Sequence, residues 1–348
     1  MTQNNLGNVL RTQGTRTGGE QGTQLLAQAV AAYREALTVR TKDALPQDWA
    51  MTQNNLGNVL QEQGARTGSE AGRLLLAQAV DAYRAALTVY TKDALPQDWA
   101  ITQNNLGAVL QEQGTRTGSE AGRLLLAQAV DAFRAALTVY TKDALPQNWA
   151  ITQNNLAKAS FAREDWPTAV ESSRNVLMLY PDYDEAYQRA HWVHHEKLFA
   201  YASAFEVTQQ WLSRHPEDVP AQANFAEAHL TTGRYEETER RLERLLKKPD
   251  LDSASSVGLR IADIVNTLAL KKSATVPQKL QALRTFVSGQ PETFHAGWSF
   301  DGTTHYVQIQ QAFIPYRPWL MDLLAVVKSK DRAALLAALD RVQAGFKP

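Results

Sequence analysis

A block of 50 residues opens the chain three times over. The second and third copies differ at only five positions: Met51/Ile101, Asn58/Ala108, Ala65/Thr115, Tyr83/Phe133 and Asp98/Asn148. A fixed period of this size means supersecondary units too small to bury their own apolar faces, so neighbours must stack. Each unit carries two helical patterns. The first runs from about Pro96 to Gln113. Proline suits a first helical turn, Asp98 complements the helix dipole, and Gly114 is expected to end the helix. The second opens at "TGSE" (67–70), where Thr67 and Glu70 have capping-box spacing, and continues to about Thr91. Leu76, Ala79, Val80, Tyr83 and Leu87 fall at steps of three and four, an apolar stripe of helical period.

Bulk composition removes several function classes. Lys plus Arg equals Asp plus Glu, 36 each, so the basic excess of a nucleic-acid binder is missing. The one basic run, "RRLERLLKK" (240–248), is interleaved with glutamates and reads as a solvated helix face. The absence of cysteine excludes disulfides, zinc-thiolate sites and thiol catalysis. No run of 18 apolar residues, the length needed to span a bilayer, occurs, and the N-terminus lacks an apolar signal region. The expectation is a cytoplasmic protein with neither nucleic acid nor membrane as partner.

The segment "NNLGNVLQEQG" followed by "AVDAYRAAL" resembles the tetratricopeptide repeat (TPR) through Leu56-Gly57, Ala79, Tyr83 and Ala86. The unit is longer than the usual length of about 34 residues. Its Asn-Asn pair and long helices resemble the kinesin-light-chain type. After residue 150 the period shortens. Residues 156–181 match at Leu156-Ala157, Ala169 and Pro181; residues 186–216 match weakly; residues 223–249 match at Ala226 and Gly233. The resemblance implies an all-α fold, a right-handed TPR superhelix or α-solenoid. It divides into three 50-residue units (1–150), three divergent units (151–250) and a helical C-terminal cap (251–348). Within the cap, helices are expected over 253–272, 276–288, 317–329 and 331–345. Asp301-Gly302 between alternating segments predicts a β-hairpin over 295–309. Trp298, Phe300, Tyr306, Phe313, Tyr316 and Trp319 are the expected core of this cap. At the other end Met1 aligns with Met51, inside the first helix of a unit.

Few residues invite catalysis. In "HWVHHE", His191 and His195 stand at i and i+4 beside Glu196, the spacing of two zinc ligands, but no third ligand can be named. They are a weak metal candidate against a packing role between helices. His295, Asp301 and His305 flank the predicted hairpin without a nucleophile motif. "GSEAG" (68–72) follows a helix and not a strand, so it is no phosphate loop. The expectation is no enzyme, no cofactor and no metal.

The polar residues of the first helix are more informative. In a TPR stack this helix lines the concave groove. Asn54, Asn58 and Gln61 occupy i, i+4 and i+7, one stripe; their counterparts are Asn4, Asn8 and Arg11, then Asn104, Ala108 and Gln111, then Asn154, Lys158 and Phe161. Asn5, Asn55, Asn105 and Asn155 lie 100° around the helix, toward the seam with the neighbouring unit. Each asparagine offers a donor and an acceptor, which suits an extended peptide backbone. Which member of each pair faces the groove and which holds the seam is open at this level. The resemblance implies a non-enzymatic interaction scaffold that grips a peptide or helix. The alternative is a self-associating or regulatory TPR segment of a larger, bacterial effector or signalling protein, stacking end to end through its uncapped first repeat.

Overall fold

The computed structural model describes residues 2–347, so Met1 and its alignment lie outside it. Two compact units are present, Met1–Leu179 and Tyr180–Pro348. Both are all-α, with no strand among the described residues. The first holds four antiparallel helix pairs: α1 (Thr2–Arg16) with α2 (Gly19–Val39), α3 (Pro46–Arg66) with α4 (Ser69–Leu87), α5 (Pro96–Thr117) with α6 (Glu120–Leu137), and α7 (Pro146–Ala162) with α8 (Trp166–Leu179). Each pair also packs on the next, through α2–α3, α4–α5 and α6–α7. The first-helix stripe and the second-helix stripe meet in one continuous core, from Leu26 and Tyr33 through Leu60, Leu76, Tyr83, Leu110 and Phe133 to Leu156 and Ala159.

Glycine sets the spacing within each pair. A Cβ on Gly7, Gly57 or Gly107 would lie 2.7 Å from a ring carbon of Tyr33, Tyr83 or Phe133. The ring sits where a side chain would have been. A second close approach occurs at the far end of each pair, where a Cβ on Gly64 would lie 3.1 Å from the Gly72 carbonyl oxygen.

This second contact corrects two expectations. Gly114 does not end its helix. It is buried inside α5, which runs on to Thr117 and stops at Gly118, whose φ of 63° is the left-handed conformation glycine tolerates. Thr67 and Glu70 form no capping box either. The Thr67 hydroxyl donates back to the Gln63 carbonyl at 2.8 Å, and α4 begins after Gly68 with no side-chain cap. The residues that make the unit longer than usual have a further use. The linker after each second helix packs Leu95 and Trp99 against Trp49, Ala50 and Tyr90, and the next linker packs Leu145 and Trp149 against Trp99. Tryptophan from consecutive repeats therefore forms a satellite core that the apolar stripes alone do not reveal.

In the second unit, α9 (Asp184–Trp192) runs into a π-helical turn (Val193–Lys197) and packs on α10 (Tyr201–Arg214). Next come α11 (Val219–Leu230) with α12 (Tyr235–Leu245) and α13 (Ser253–Ala269) with α14 (Val276–Ser288). The chain closes with α15 (Asp301–Ile309), α16 (Arg317–Ala325) and α17 (Arg332–Gly345). Phe300, Tyr306 and Phe313 are buried in the core of this region, and Trp298, Tyr316 and Trp319 pack against it. The predicted hairpin over 295–309 is not formed: residues 295–300 are irregular and 301–309 are helix. Gly302 does not have the positive φ of a hairpin turn. It is small because a Cβ there would lie 2.4 Å from the His195 carbonyl oxygen, so Asp-Gly marks a close helix approach and not a reversal of the chain.

The ring contact gives a direct test. Gly57→Ala drives a methyl into the Tyr83 ring and is expected to cost about 1–3 kcal/mol, read as a lower urea midpoint. Gly68→Ala, with nothing within 4 Å and an ordinary φ of −68°, is the clash-free control, its cost limited to a poorer N-cap of about 0.5 kcal/mol.

Candidate interaction surface

The repeated asparagines are joined to one another and to their neighbours across every seam of the first unit. Asn4 is buried, while Asn54, Asn104 and Asn154 are half-buried. The hydroxyls of Thr52, Thr102 and Thr152 bridge from their own helix to the Asn4, Asn54 and Asn104 side chains of the preceding repeat, at 3.2, 3.3 and 3.2 Å. The second asparagine of each pair reaches back as well. The Asn55 amide lies 3.5 Å from Asn8 Oδ1, and Asn105 donates to Asn58 Oδ1 at 3.2 Å. Asn5 and Asn8 are exposed; Asn55, Asn58, Asn105 and Asn155 are half-buried. Both members of the pair therefore take part in the seam, and the second keeps a polar edge toward solvent.

The second stripe position ties the helix pair together. The Tyr33 hydroxyl donates to Asn8 at 2.6 Å, and the Tyr83 hydroxyl donates to Asn58 at 2.7 Å with Gln61 Oε1 at 3.4 Å. In the next copy Tyr83 becomes Phe133 and Asn58 becomes Ala108. Two of the five differences between copies thus remove the two halves of one hydrogen bond. Asn155, which would have donated to the residue at 108, turns to Asn104 Oδ1 at 3.2 Å instead. A shallow pocket opens there between Ala108, Gln111, Glu112, Thr115, Arg116 and Asn155. Lys158 is half-buried on α7. Arg11 does not point away as a free cation: its Nε donates to Glu62 of the next repeat at 2.8 Å.

Arginine supplies a seam device that sequence reasoning missed. Arg66 donates to the carbonyls of Gly14 (2.7 Å) and Thr15 (2.9 Å), and Arg116 donates to those of Gly64 (2.9 Å) and Ala65 (3.0 Å). Each guanidinium caps the C-terminal end of the first helix one repeat earlier, where carbonyls lack helical partners. The signal was available, because Arg16, Arg66 and Arg116 recur at the repeat period.

The histidine cluster lies in the second unit. His191 and His195 stack with ring centroids 5.5 Å apart, and His191 Nδ1 lies 3.4 Å from the Ala204 carbonyl. The further ligand the sequence could not name is Glu227 on α11. His195, Glu196 and Glu227 are all buried, and each presents one potential ligand atom within 4.8 Å of the others. Those atoms are already in use. His195 Nδ1 is 2.6 Å from Glu196 Oε1, and its Nε2 is 3.2 Å from the Thr231 hydroxyl. Glu196 Oε2 accepts from the Ser299 hydroxyl (2.5 Å) and the Asp301 amide (2.9 Å), which caps the N-terminus of α15. Thr303 donates to Glu227 at 2.7 Å. The arrangement suits proton sharing inside a structural network. His295, Asp301 and His305 do not assemble as one site: His305 Nδ1 meets the Tyr201 hydroxyl at 2.8 Å, and Asp301 pairs with Lys197 at 3.3 Å.

Burial raises the Glu227 carboxyl to about 7, against the pull of the His195 imidazole. Glu196 is lowered: burial opposes this, but the bonds from His195, Ser299 and the Gly302 amide outweigh it. Burial, with His195 beside it, lowers His191 to about 3.

No protein-family model matches the chain, and no curated protein is significantly similar to it. Among solved structures, a tetratricopeptide repeat protein from Parabacteroides merdae ATCC 43184 is similar, with 13% identity and a TM-score of 0.44. The match covers 81% of this chain and 93% of that one. Among the described residues, no helix is long and apolar enough to cross a membrane.

Two predictions follow from these contacts. Tyr83→Phe leaves Asn58 Oδ1 with only the Asn105 donor, and Asn58→Ala leaves the Tyr83 hydroxyl with only the longer contact to Gln61; each is expected to cost about 1 kcal/mol. The double variant reproduces the natural pairing of Phe133 with Ala108, so its cost should fall well short of the sum in a denaturation double-mutant cycle. The second concerns pH. A carboxyl raised in the fold contributes its full stability below its unfolded value of 4.5 and loses it as pH rises through about 7. A lowered histidine such as His191 behaves oppositely, contributing fully above 6.5 and losing that contribution as pH falls. Glu227→Gln should therefore gain on wild type as pH rises from about 5 to 8, by about 3 °C or more in melting temperature.

Proposed function

We propose that the chain is a non-enzymatic protein-interaction scaffold, which holds an extended peptide or a helix along the exposed face of α1, α3, α5 and α7. The observation that carries this reading is the double column of side-chain amides at the seams. Asn55, Asn105 and Asn155 spend an N–H on the preceding repeat and keep carbonyl lone pairs for a peptide N–H. Asn4, Asn54 and Asn104 hold the register, while Asn5, Asn8, Asn58, Gln61, Gln111, Asn154 and Lys158 extend the polar strip. The buried acids and histidines of the second unit serve packing in this reading, with no cofactor or metal. A cytoplasmic location fits it. Replacing Asn55, Asn105 and Asn155 together by Ala should remove partners captured by wild type from a native lysate, read by mass spectrometry, with far-UV circular dichroism unchanged. An unaltered set of captured partners would refute peptide holding by this face.

A second reading, self-association, has its own observation. Leu6 and Val9 are 47% and 54% exposed, whereas their counterparts Leu56 and Val59, covered by the preceding repeat, are 7% and 0% exposed. The face is apolar and already shaped for a helix pair. Light scattering across concentration distinguishes the two readings: mass growth that Leu6→Gln with Val9→Gln abolishes supports stacking, and a constant monomer mass counts against it.

A further inference from the structure

A pocket in the second unit, apart from the face proposed above, has a floor that no protein group satisfies. It lies between α10, α11 and α12, and its lining includes Phe205, Gln209, Phe225, His229, Arg234 and Arg241. His229 is only 6% exposed, yet neither ring nitrogen has a hydrogen-bond partner among the described residues. Buried polar atoms rarely stay unpaired in a folded protein. The ring is fixed edge-on between Phe205 and Phe225, with centroids 4.9 and 4.5 Å away. Its position follows from the sequence: the α11 C-terminus is closed by Gly233 at φ 76°, and the Arg234 amide donates to the His229 carbonyl at 2.9 Å.

Two guanidiniums cover the aromatic walls. The Arg234 carbon lies 3.7 Å from the Phe205 centroid and that of Arg241 lies 4.6 Å from Phe225. They differ in charge balance. Arg241 pairs with Glu237 at 2.9 Å, and Glu237 is shared with Arg240 at 2.7 Å. Arg234 has no carboxylate partner among the described residues and is exposed at the rim. Stacking fixes the guanidinium plane but leaves its N–H edge free, the geometry that binds carboxylates and phosphates in a fork. The pocket therefore holds excess positive charge over a neutral, unpaired imidazole, beside aromatic walls.

We propose that this pocket binds an oxyanion group, phosphate or carboxylate, through the free edge of Arg234 and a ring N–H of His229. The anion offsets the uncompensated charge, satisfies the buried donor, and rests its substituent against Phe205 and Phe225. Burial, then Arg241 and Arg234, lowers His229 to about 4, so the imidazole is neutral at pH 7 and offers one donor without competing for the proton.

The test is a titration of the intact chain with sodium phosphate, matched in ionic strength by sodium chloride, following the His229 side-chain nitrogens by NMR. Expected is a saturable shift specific to phosphate, with a dissociation constant on the order of 1 mM for the bare ion. The bound ion should raise the His229 pKa by about 1 unit. Arg234→Met keeps the stacked stem and should weaken binding about tenfold or more, while Arg240→Gln should leave it unchanged. His229→Phe, which preserves the ring packing, should abolish binding by calorimetry with circular dichroism intact. Glycyl-phosphoserine and glycyl-glutamate, titrated alongside, assign the group: the tighter binder names it. No saturable shift up to about 20 mM phosphate, an equal shift with chloride, or undiminished binding by Arg234→Met would overturn the proposal.

Discussion

A missing Cβ sets the geometry of the first unit. Because Gly57 has no side chain, the Tyr83 ring can lie flat against the first helix, and the same holds at Gly7 and Gly107. The close approach brings the Tyr83 hydroxyl within 2.7 Å of Asn58, the residue that follows Gly57. Asn58 in turn accepts from Asn105 one repeat on. A packing contact inside one helix pair is thereby coupled to the seam with the next. Nonpolar burial gives the stack its stability, while the polar side chains that cross each seam are directional and fix its register.

The seams divide this task between the two ends of the first helix. Near its N-terminal end, threonine and asparagine interlock at the 48-residue offset. At its C-terminal end, arginine closes the free carbonyls of the preceding helix at offsets of 51 and 52. On the second helices, Arg34 and Arg84 donate to Gln78 and Gln128 at 2.8 and 2.9 Å. None of these pairs is strong alone at a partly exposed site. Their repetition is what matters, because a solenoid's stability is a sum of unit and nearest-neighbour terms.

Helix pairing and the core stripe were legible in the sequence because they rest on short-range periodicity: Leu76, Ala79, Val80 and Tyr83 announce their face within three turns. What was not legible depends on groups distant in sequence. Gly114 looks like a stop signal, but the backbone of Gly122 across the pair makes it a contact glycine. Asp301-Gly302 looks like a turn, but Glu196, more than a hundred residues earlier, accepts the amides that start α15. Glu227 was likewise hidden from the histidine cluster, because it comes from a helix about thirty residues further along the chain. In each case a local signal of one residue type has two physical uses, and only the partner decides between them.

The near-identity of the copies turns the five differences into an internal experiment. Loss of the Asn58 amide alone would leave a tyrosine hydroxyl without its acceptor, and loss of the hydroxyl alone would leave an amide carbonyl short of a donor. The third copy loses both and leaves the ring in place over Gly107. The apolar contact and the polar contact of this position are therefore separable: the ring is required by the glycine, the hydroxyl only by the asparagine. The consequence is local and directional. Where the pair is present, the seam side chain of the next repeat is drawn back to it, as Asn105 is to Asn58. Where it is absent, Asn155 moves to Asn104 and a pocket opens over Ala108. A single paired replacement thus gives one point along an otherwise uniform face a different shape, without disturbing the helix spacing on which the whole stack depends.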